Sequence, residues 1–304
     1  MNIRRAINNL IMSYNSIKKH QRNLEIQTLL IGKLFVNYLK IIDNIDSLSD
    51  VEFKVFSQFG DDGIIQWLIN KLQIPNETFI EFGVEDYQES NTRFLLMNNN
   101  WSGLVIDSSN SNIQRIKKSE YFWKHELTAI NDFITAENIN ELIASVKFNA
   151  DIGILHIDLD GNDYWIWRAI NTINPIVVIL EYNSLFGIDR KITIPYEKKF
   201  VREKAHFSNL YFGSSLSALY DLSRQKGYSF IGCNSAGNNA YFIRDEMLNE
   251  YVKPISLEKG FVASKVRECR DKNGKLSYLS GNDRLLKIKG LPVYNIDTKR
   301  IEKI

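Results

Sequence analysis

Four short apolar runs, each ending in acids or amides, set the pattern of this chain. Thr78-Phe79-Ile80-Glu81-Phe82-Gly83 leads into Val84-Glu85-Asp86, and Gly103-Leu104-Val105-Ile106 ends at Asp107. Ile152-Gly153-Ile154-Leu155-His156-Ile157 ends at Asp158-Leu159-Asp160-Gly161, and Ile176-Val177-Val178-Ile179-Leu180 ends at Glu181-Tyr182-Asn183. Short apolar runs separated by helix-like segments predict buried parallel strands. A weaker strand is predicted near 126–130. Helical periodicity marks 58–72, 90–97, 110–118, 137–146, 164–170 and 214–226, the last stopped by Gly227. Residues 228–233 and 239–244 predict a closing hairpin. Five strands alternating with helices, then a helix and a hairpin, predict an α/β fold: a doubly wound, mostly parallel, seven-stranded Rossmann-like sheet. Ligands of such sheets bind beyond the carboxyl ends of the strands, where the polar residues cluster here.

Around this core the pattern divides the chain into three. Residues 1–50 predict a helical extension. Leu30, Ile31, Leu34, Phe35, Tyr38, Ile41 and Ile42 form one apolar face, which either packs on the domain's own core or makes a homo-oligomer interface. Residues 51–245 predict the main domain, with a long connection over 185–213. Residues 246–304 are polar and poorly patterned, an extension expected to pack on the domain.

Composition narrows the classes. A net charge of +2 argues against an extensive nucleic-acid-binding face. No apolar run reaches the roughly 20 residues needed to cross a bilayer; residues 28–42 are interrupted by Gly32, Lys33, Asn37 and Lys40. No signal peptide is evident. The two cysteines, Cys233 and Cys269, have no metal-ligand spacing and suggest a reducing compartment. The expectation is a cytoplasmic protein.

The strand ends supply the candidate chemistry. Gly83 lets the first turn approach a ligand closely, or is only a tight turn. The acids around it, Glu81 and Asp86 among them, repel pyrophosphate but suit a cationic ligand. Asp107, 24 residues after Gly83, can hold ribose hydroxyls or cap the next helix. His156, Asp158 and Asp160 alternate, so they point to one side of an extended chain. With Glu181 and Asn183 they could hold a divalent cation such as Mg²⁺ or Mn²⁺ through oxygen ligands. The alternatives are His156 as general base, Asp160 as a helix cap, and Glu181 paired with a base. The connection carries Arg190, Lys198, Lys199 and Arg202 with Tyr196: charge for a phosphate and a ring for a sugar face, or else a solvated helix over 196–205.

At these residues the chain resembles bacterial class I S-adenosylmethionine-dependent methyltransferases, most of all the FkbM-like group and related surface-polysaccharide sugar O-methyltransferases. The resemblance rests on Ser57-Gln58-Phe59-Gly60-Asp61-Asp62-Gly63, Phe79-Ile80-Glu81-Phe82-Gly83, Asn91-Thr92, Trp101-Ser102-Gly103-Leu104-Val105-Ile106-Asp107, Ile157-Asp158-Leu159-Asp160-Gly161 and Glu181-Tyr182-Asn183. It covers about residues 52–245 and implies S-adenosylmethionine as cofactor. By resemblance Glu81, Gly83 and Asp107 contact it, with Asp86 and Ser108 alongside and Gln58 near its methionine end. Asp158 takes the catalytic or metal-binding position after the fourth strand. The implied reaction is O-methylation of a nucleotide-linked or glycan sugar in capsule or lipopolysaccharide biosynthesis. Another small hydroxylated metabolite, or a non-catalytic binding role, is the alternative. Tyr87 departs from the pattern, since a glycine is expected there, and is expected to narrow the cofactor pocket.

Overall fold

The computed structural model describes residues 2–304, with side chains from residue 7 onward. The elements run α1 (Asn2–Leu39), α2 (Asp61–Lys71), β1 (Thr78–Phe82), α3 (Arg93–Asn99), β2 (Ser102–Asp107), α4 (Asn110–Lys118), α5 (Glu120–Lys124) and β3 (Leu127–Asn131). They continue through α6 (Ile139–Ala144), β4 (Ile154–Ile157), α7 (Asp163–Ala169), β5 (Val177–Glu181), β6 (Ile192–Thr193), α8 (Arg202–Ala205) and α9 (Leu216–Gln225). The hairpin β7 (Tyr228–Cys233) and β8 (Asn239–Arg244) follows, then α10 (Leu257–Gly260), α11 (Asn282–Ile288), β9 (Pro292–Asn295) and β10 (Arg300–Lys303).

The main sheet has seven strands in the order β3-β2-β1-β4-β5-β8-β7. β1 to β5 are parallel neighbours, and β8 is antiparallel to both β5 and β7. This is the doubly wound sheet of the class I methyltransferase fold, with the chain reversing its direction of travel between β1 and β4. Alternation along each strand divides the core. Phe79, Val105, Ile154 and Ile179 face one layer with α2 and α4. Ile80, Leu104, Leu155 and Val178 face the other, with α7 and α9. Both faces are covered, so the strands are buried almost throughout, as parallel strands must be.

Helix α1 docks through a different face from the one its apolar spacing predicts. Leu30, Ile31, Leu34, Phe35, Tyr38 and Ile41 are exposed; Ile42, just beyond the helix, packs at the core's edge. The docked edge is Leu29, Val36 and Leu39, with Gly32 at its closest point. A Cβ on Gly32 would lie 2.8 Å from Val55 and 2.9 Å from the Phe94 ring. The absence of a side chain is what lets the helix approach, and a scale that rewards large apolar residues misses it.

The tail is more ordered than its composition suggests. β9 pairs with β10 and with β6, tying residues near the C-terminus to the 185–213 connection in a three-stranded sheet. Cys269, Ile288 and Val293 from the tail pack with Phe186, Ile192 and Phe212 from the connection. The predicted helix over 196–205 is reduced to the four residues of α8. Among the described residues, no helix is long and apolar enough to cross a membrane.

Candidate active site

A cavity of about 590 Å³ opens at the carboxyl ends of β1, β2, β4 and β5, at the point where the winding of the sheet reverses, as open α/β sheets place it. Its near wall comes from β1–β3 through Glu81, Gly83, Asp107, Ser108 and Asp132. Its far wall is Asp158, Asp160 and Glu181, closed over by Arg202, Glu268 and Arg284.

β1 pairs with β4 so that Glu81 sits opposite His156, and the two side chains meet there. His156 Nδ1 lies 2.9 Å from Glu81 Oε1, and Nε2 lies 3.1 Å from Asn91 Nδ2. The same carboxylate accepts from Ser90 Oγ at 2.5 Å, Asn91 N at 2.9 Å, Thr92 N at 3.2 Å and the Thr92 hydroxyl. Burial would raise the Glu81 pKa, but the hydrogen bond and charge of His156 outweigh it and hold the carboxyl below its usual value. Burial would lower His156, but Glu81 wins and raises it. Nδ1–H therefore donates to Glu81 in a buried hydrogen bond, and in the neutral ring Nε2 accepts from Asn91 Nδ2; a charged ring would need the Asn91 amide turned to face it with Oδ1. Both ring nitrogens have partners, so His156 is not placed as a free general base, and Glu81 borders the cavity with its oxygens already engaged.

One register step further the strands bring carboxylates together. Ile157 pairs with Leu180, which sets Asp158 beside Glu181 at one level. Asp158, Asp160 and Glu181 each offer an oxygen, all within 4.8 Å of one another. Glu181 is 9% exposed, and its Oε2 is buried without a hydrogen-bond partner. Desolvation and the charge of Asp160 push Asp158 up to about 7. Burial, Asp158 and Asp160 raise Glu181 well above its ordinary value. Asp160 is held with φ of 52°, a left-handed conformation tolerated by aspartate, and its carboxylate meets Arg202. Asp163 fixes this loop by accepting from Leu159 N at 2.7 Å and Gly161 N at 2.9 Å. Asn183 does not join the trio. Its amide donates to the Leu210 and Phe212 carbonyls at 2.9 and 3.0 Å, while its Oδ1 accepts from Leu185 N. Asp160 takes its place.

Asp107 ends β2 and faces the cavity. Its Oδ2 accepts from Glu85 N at 2.9 Å, and its Oδ1 from Ser109 N at 2.8 Å and, more weakly, Asn112 Nδ2 at 3.4 Å. A carboxylate has about four acceptor sites, so Oδ2 keeps one for a ligand. Gln58 and Ser108 also line the cavity, but Asp86 does not; it accepts from Gln88 N and pairs with Arg115. Gly83 is required by its neighbour strand: with φ of 72°, a Cβ there would fall 1.7 Å from the Asp158 carbonyl oxygen. Tyr87 does not narrow the cavity. It turns into the core, fully buried, with its hydroxyl 2.8 Å from Thr92 Oγ1 and its ring against Tyr121.

The basic connection divides. Arg202 reaches the cavity, with its guanidinium 3.9 Å from the Phe212 ring centre and Nε 2.7 Å from the Asn209 carbonyl. Arg190 instead pairs with Glu302 at 2.7 Å on the small sheet. Lys198 lies 3.7 Å from Glu137, and Tyr196 donates to Glu137 at 2.8 Å. Lys199 is exposed, away from the cavity. Tyr196, Lys198 and Lys199 sit on the outer surface because the chain between β6 and α8 runs over α7, where Trp165 packs on Tyr196; Arg190, before β6, is drawn to β10. Two groups of lining residues escaped sequence reasoning. Asp132 directly follows β3 and was accessible to the same strand-end rule. Glu268 and Arg284 lie in the unpatterned tail, where no local signal marks them; the Arg284 guanidinium donates to the Ser264 and Val266 carbonyls and holds that segment over the cavity.

No family model matches the chain, and no curated protein matches it significantly. Among solved structures it is similar to an O-methyltransferase from Bacillus cereus in complex with SAH, at 12% identity and TM-score 0.41, over 71% of this chain and 89% of that one. It is also similar to an S-adenosylmethionine-dependent methyltransferase from Clostridium acetobutylicum, at 10% identity and TM-score 0.36, over 60% and 89%. A third is the pyocyanin biosynthetic protein PhzM, at 9% identity and TM-score 0.36 over 58% of this chain; the chain spans about half of PhzM, 53%. At such distance the strand order and the cavity define the class, a class I methyltransferase fold with an acid-rich pocket at its strand ends.

Proposed function

We propose that the chain is an S-adenosylmethionine-dependent O-methyltransferase acting on a hydroxyl of a nucleotide-linked or glycan sugar, in the assembly of a bacterial capsule or lipopolysaccharide. The observation that carries this reading is one cavity with two unlike acidic ends: Asp107 at the end of β2, and the Asp158, Asp160 and Glu181 trio at the ends of β4 and β5. The fit to the cofactor rests on charge and shape. Asp107 keeps an acceptor for a ribose hydroxyl, and Glu85 adds an acid to a pocket that would receive a cationic sulfonium, whose charge would in turn favour ionised Glu181. The bound cofactor supplies an electrophilic methyl group.

The chain's own residues have the remaining work of orienting and activating a hydroxyl. Asp158, with its pKa near neutrality, is suited to accept a hydroxyl proton. Asp158, Asp160 and Glu181 also fit a Mg²⁺ or Mn²⁺ ion, which would satisfy the orphaned Glu181 Oε2 and relieve the repulsion among three acids. Arg202 lines the cavity beside Asp160 and is the cation a substrate phosphate would meet there, in competition with Asp160 and Glu268. Calorimetry with S-adenosylmethionine tests the cofactor, and a methyl-transfer screen over nucleotide sugars, with and without chelator, tests the substrate and the ion. Absence of cofactor binding would overturn the whole reading. Transfer only to acceptors that are not sugars would overturn the substrate class.

A further inference from the structure

Helix α1 runs for 38 residues, and its first part lies off the domain, touching it through the Arg22–Glu120 ion pair at 3.0 Å. Residues 7–24 are exposed throughout, about 27 Å of helix at 1.5 Å per residue. In proteins most helical stability comes from packing an apolar face, and this stretch packs none on its own domain. Ile7, Leu10, Tyr14, Ile17, Leu24 and Ile31 follow one another at alternating steps of three and four, with Gln21 and Thr28 filling the pattern. Phe35 and Tyr38 extend it to the end of the helix. This is a heptad repeat sustained over more than four heptads, and its seam faces solvent: Leu10 is 70% exposed and Tyr14 65%.

We propose that α1 pairs with α1 of a second copy of this chain as an antiparallel two-helix coiled coil. The repeat itself favours a helix as occupant. A strict 3.5-residue period wraps a supercoil, whereas a helix lying on a membrane presents a straight stripe of period 3.6. The area is also sufficient. The eight apolar seam positions, at about 100 Å² each, offer roughly 800 Å², the share of one partner in a standard interface.

Charge sets the orientation. Residues 1–24 carry Arg4, Arg5, Lys18, Lys19 and Arg22 and no acid, whereas residues 25–50 carry Glu25, Asp43, Asp46 and Asp50 against Lys33 and Lys40. Asp43, Asp46 and Asp50 lie beyond the helix, whose second half carries only Glu25 against Lys33. A parallel pair would lay two basic arms side by side; an antiparallel pair lays each along the neutral half of the other and so avoids that repulsion. Aligning Tyr14 with Ile31 keeps every seam position matched; Lys18 of one copy then lies near Glu25 of the other, whose carboxylate also pairs with Arg93 of its own chain at 2.7 Å.

Sedimentation velocity on the full chain should show a dimer. Leu10→Glu combined with Ile17→Glu should raise its dissociation constant at least about a hundredfold, tenfold or more for each buried charge, with the domain's melting temperature unchanged. Oxidising a mixture of Tyr14→Cys and Ile31→Cys chains should link them, since the native thiols Cys233 and Cys269 are buried. Tyr14→Cys alone should not link, because the two positions would lie about 26 Å apart along the axis. A chain that stays monomeric overturns the proposal, whether or not it binds anionic phosphatidylglycerol vesicles; vesicle binding would assign the helix to a membrane surface. A dimer that survives both glutamates, or Tyr14→Cys chains that link only to each other, overturns it as well.

Discussion

The Glu81 carboxylate is surrounded by donors, and His156 is the titratable one among them. His156→Ala should remove one donor from that buried carboxylate, which still accepts from Ser90, Asn91 and Thr92, costing about 1–3 kcal/mol. Thermal unfolding would show the loss; an unchanged melting temperature would mean the pair is not closed in solution. The sign of the pH effect follows from both partners. Glu81 is lowered, so its contribution is lost as pH falls through its folded value; His156 is raised above 6.5, so its contribution is lost as pH rises through its folded value. The pair therefore stabilises most between the ordinary carboxylate range and 6.5, and His156→Ala should flatten the stability profile over that window. A second residue carries the cofactor reading. Asp107→Ala should weaken S-adenosylmethionine binding by about 1.5–3 kcal/mol, the range for lost hydrogen bonds to a charged group, and calorimetry giving wild-type affinity would remove Asp107 from the site. At this scale the sequence revealed which positions are polar but not what faces them. His156 reads as a base along its own strand, and only the register of β1 against β4 shows the carboxylate that occupies it.

At the scale of elements, periodicity was a good guide wherever both faces of a strand are buried. The hairpin strands β7 and β8 and helix α4 have the bounds that the pattern predicts, and the other sheet strands differ by a residue or two. The spacing between elements also placed Asp158 and Glu181 at one level. The docked edge of α1 was illegible because a glycine defines it. So was the reason for Gly83, which lies in a strand 75 residues further on. Gly83→Ala follows directly. Its Cβ would collide with the Asp158 carbonyl oxygen, and its φ of 72° disfavours any side chain. The turn must open, moving β1 away from the β4 loop. We expect a destabilisation of at least about 1–3 kcal/mol, the range for forced backbone strain, with weaker cofactor binding. Wild-type melting and binding in this variant would show that the turn is looser than drawn.

At the scale of the whole molecule, the tail completes the fold late in the chain. Cys269, Ile288 and Val293 cover the apolar residues of the 185–213 connection. Removing residues 246–304 should uncover that cluster. Three buried side chains at about 1.5–3 kcal/mol each imply a loss of several kcal/mol, seen as a lower melting temperature or poor solubility; a truncated chain as stable as the full one would contradict this. Sequence reasoning could not anticipate it, because β9 and β10 are four residues each and only β9 partners a two-residue strand, β6, a hundred positions earlier. Such pairings leave no local period to read.

The segment that Arg284 pins across the pocket has a consequence for how this chain can diversify. The strand-end wall, with Glu81, Gly83 and Asp107, is laid down by the first half of the sheet. The opposing rim of Ser264, Val266 and Glu268 comes from a stretch that contributes no strand to that sheet. Lineages can therefore rewrite the rim without retuning the wall. Chimeras that exchange only the terminal sixty or so residues would be expected to change which acceptor is chosen while the donor end keeps its affinity.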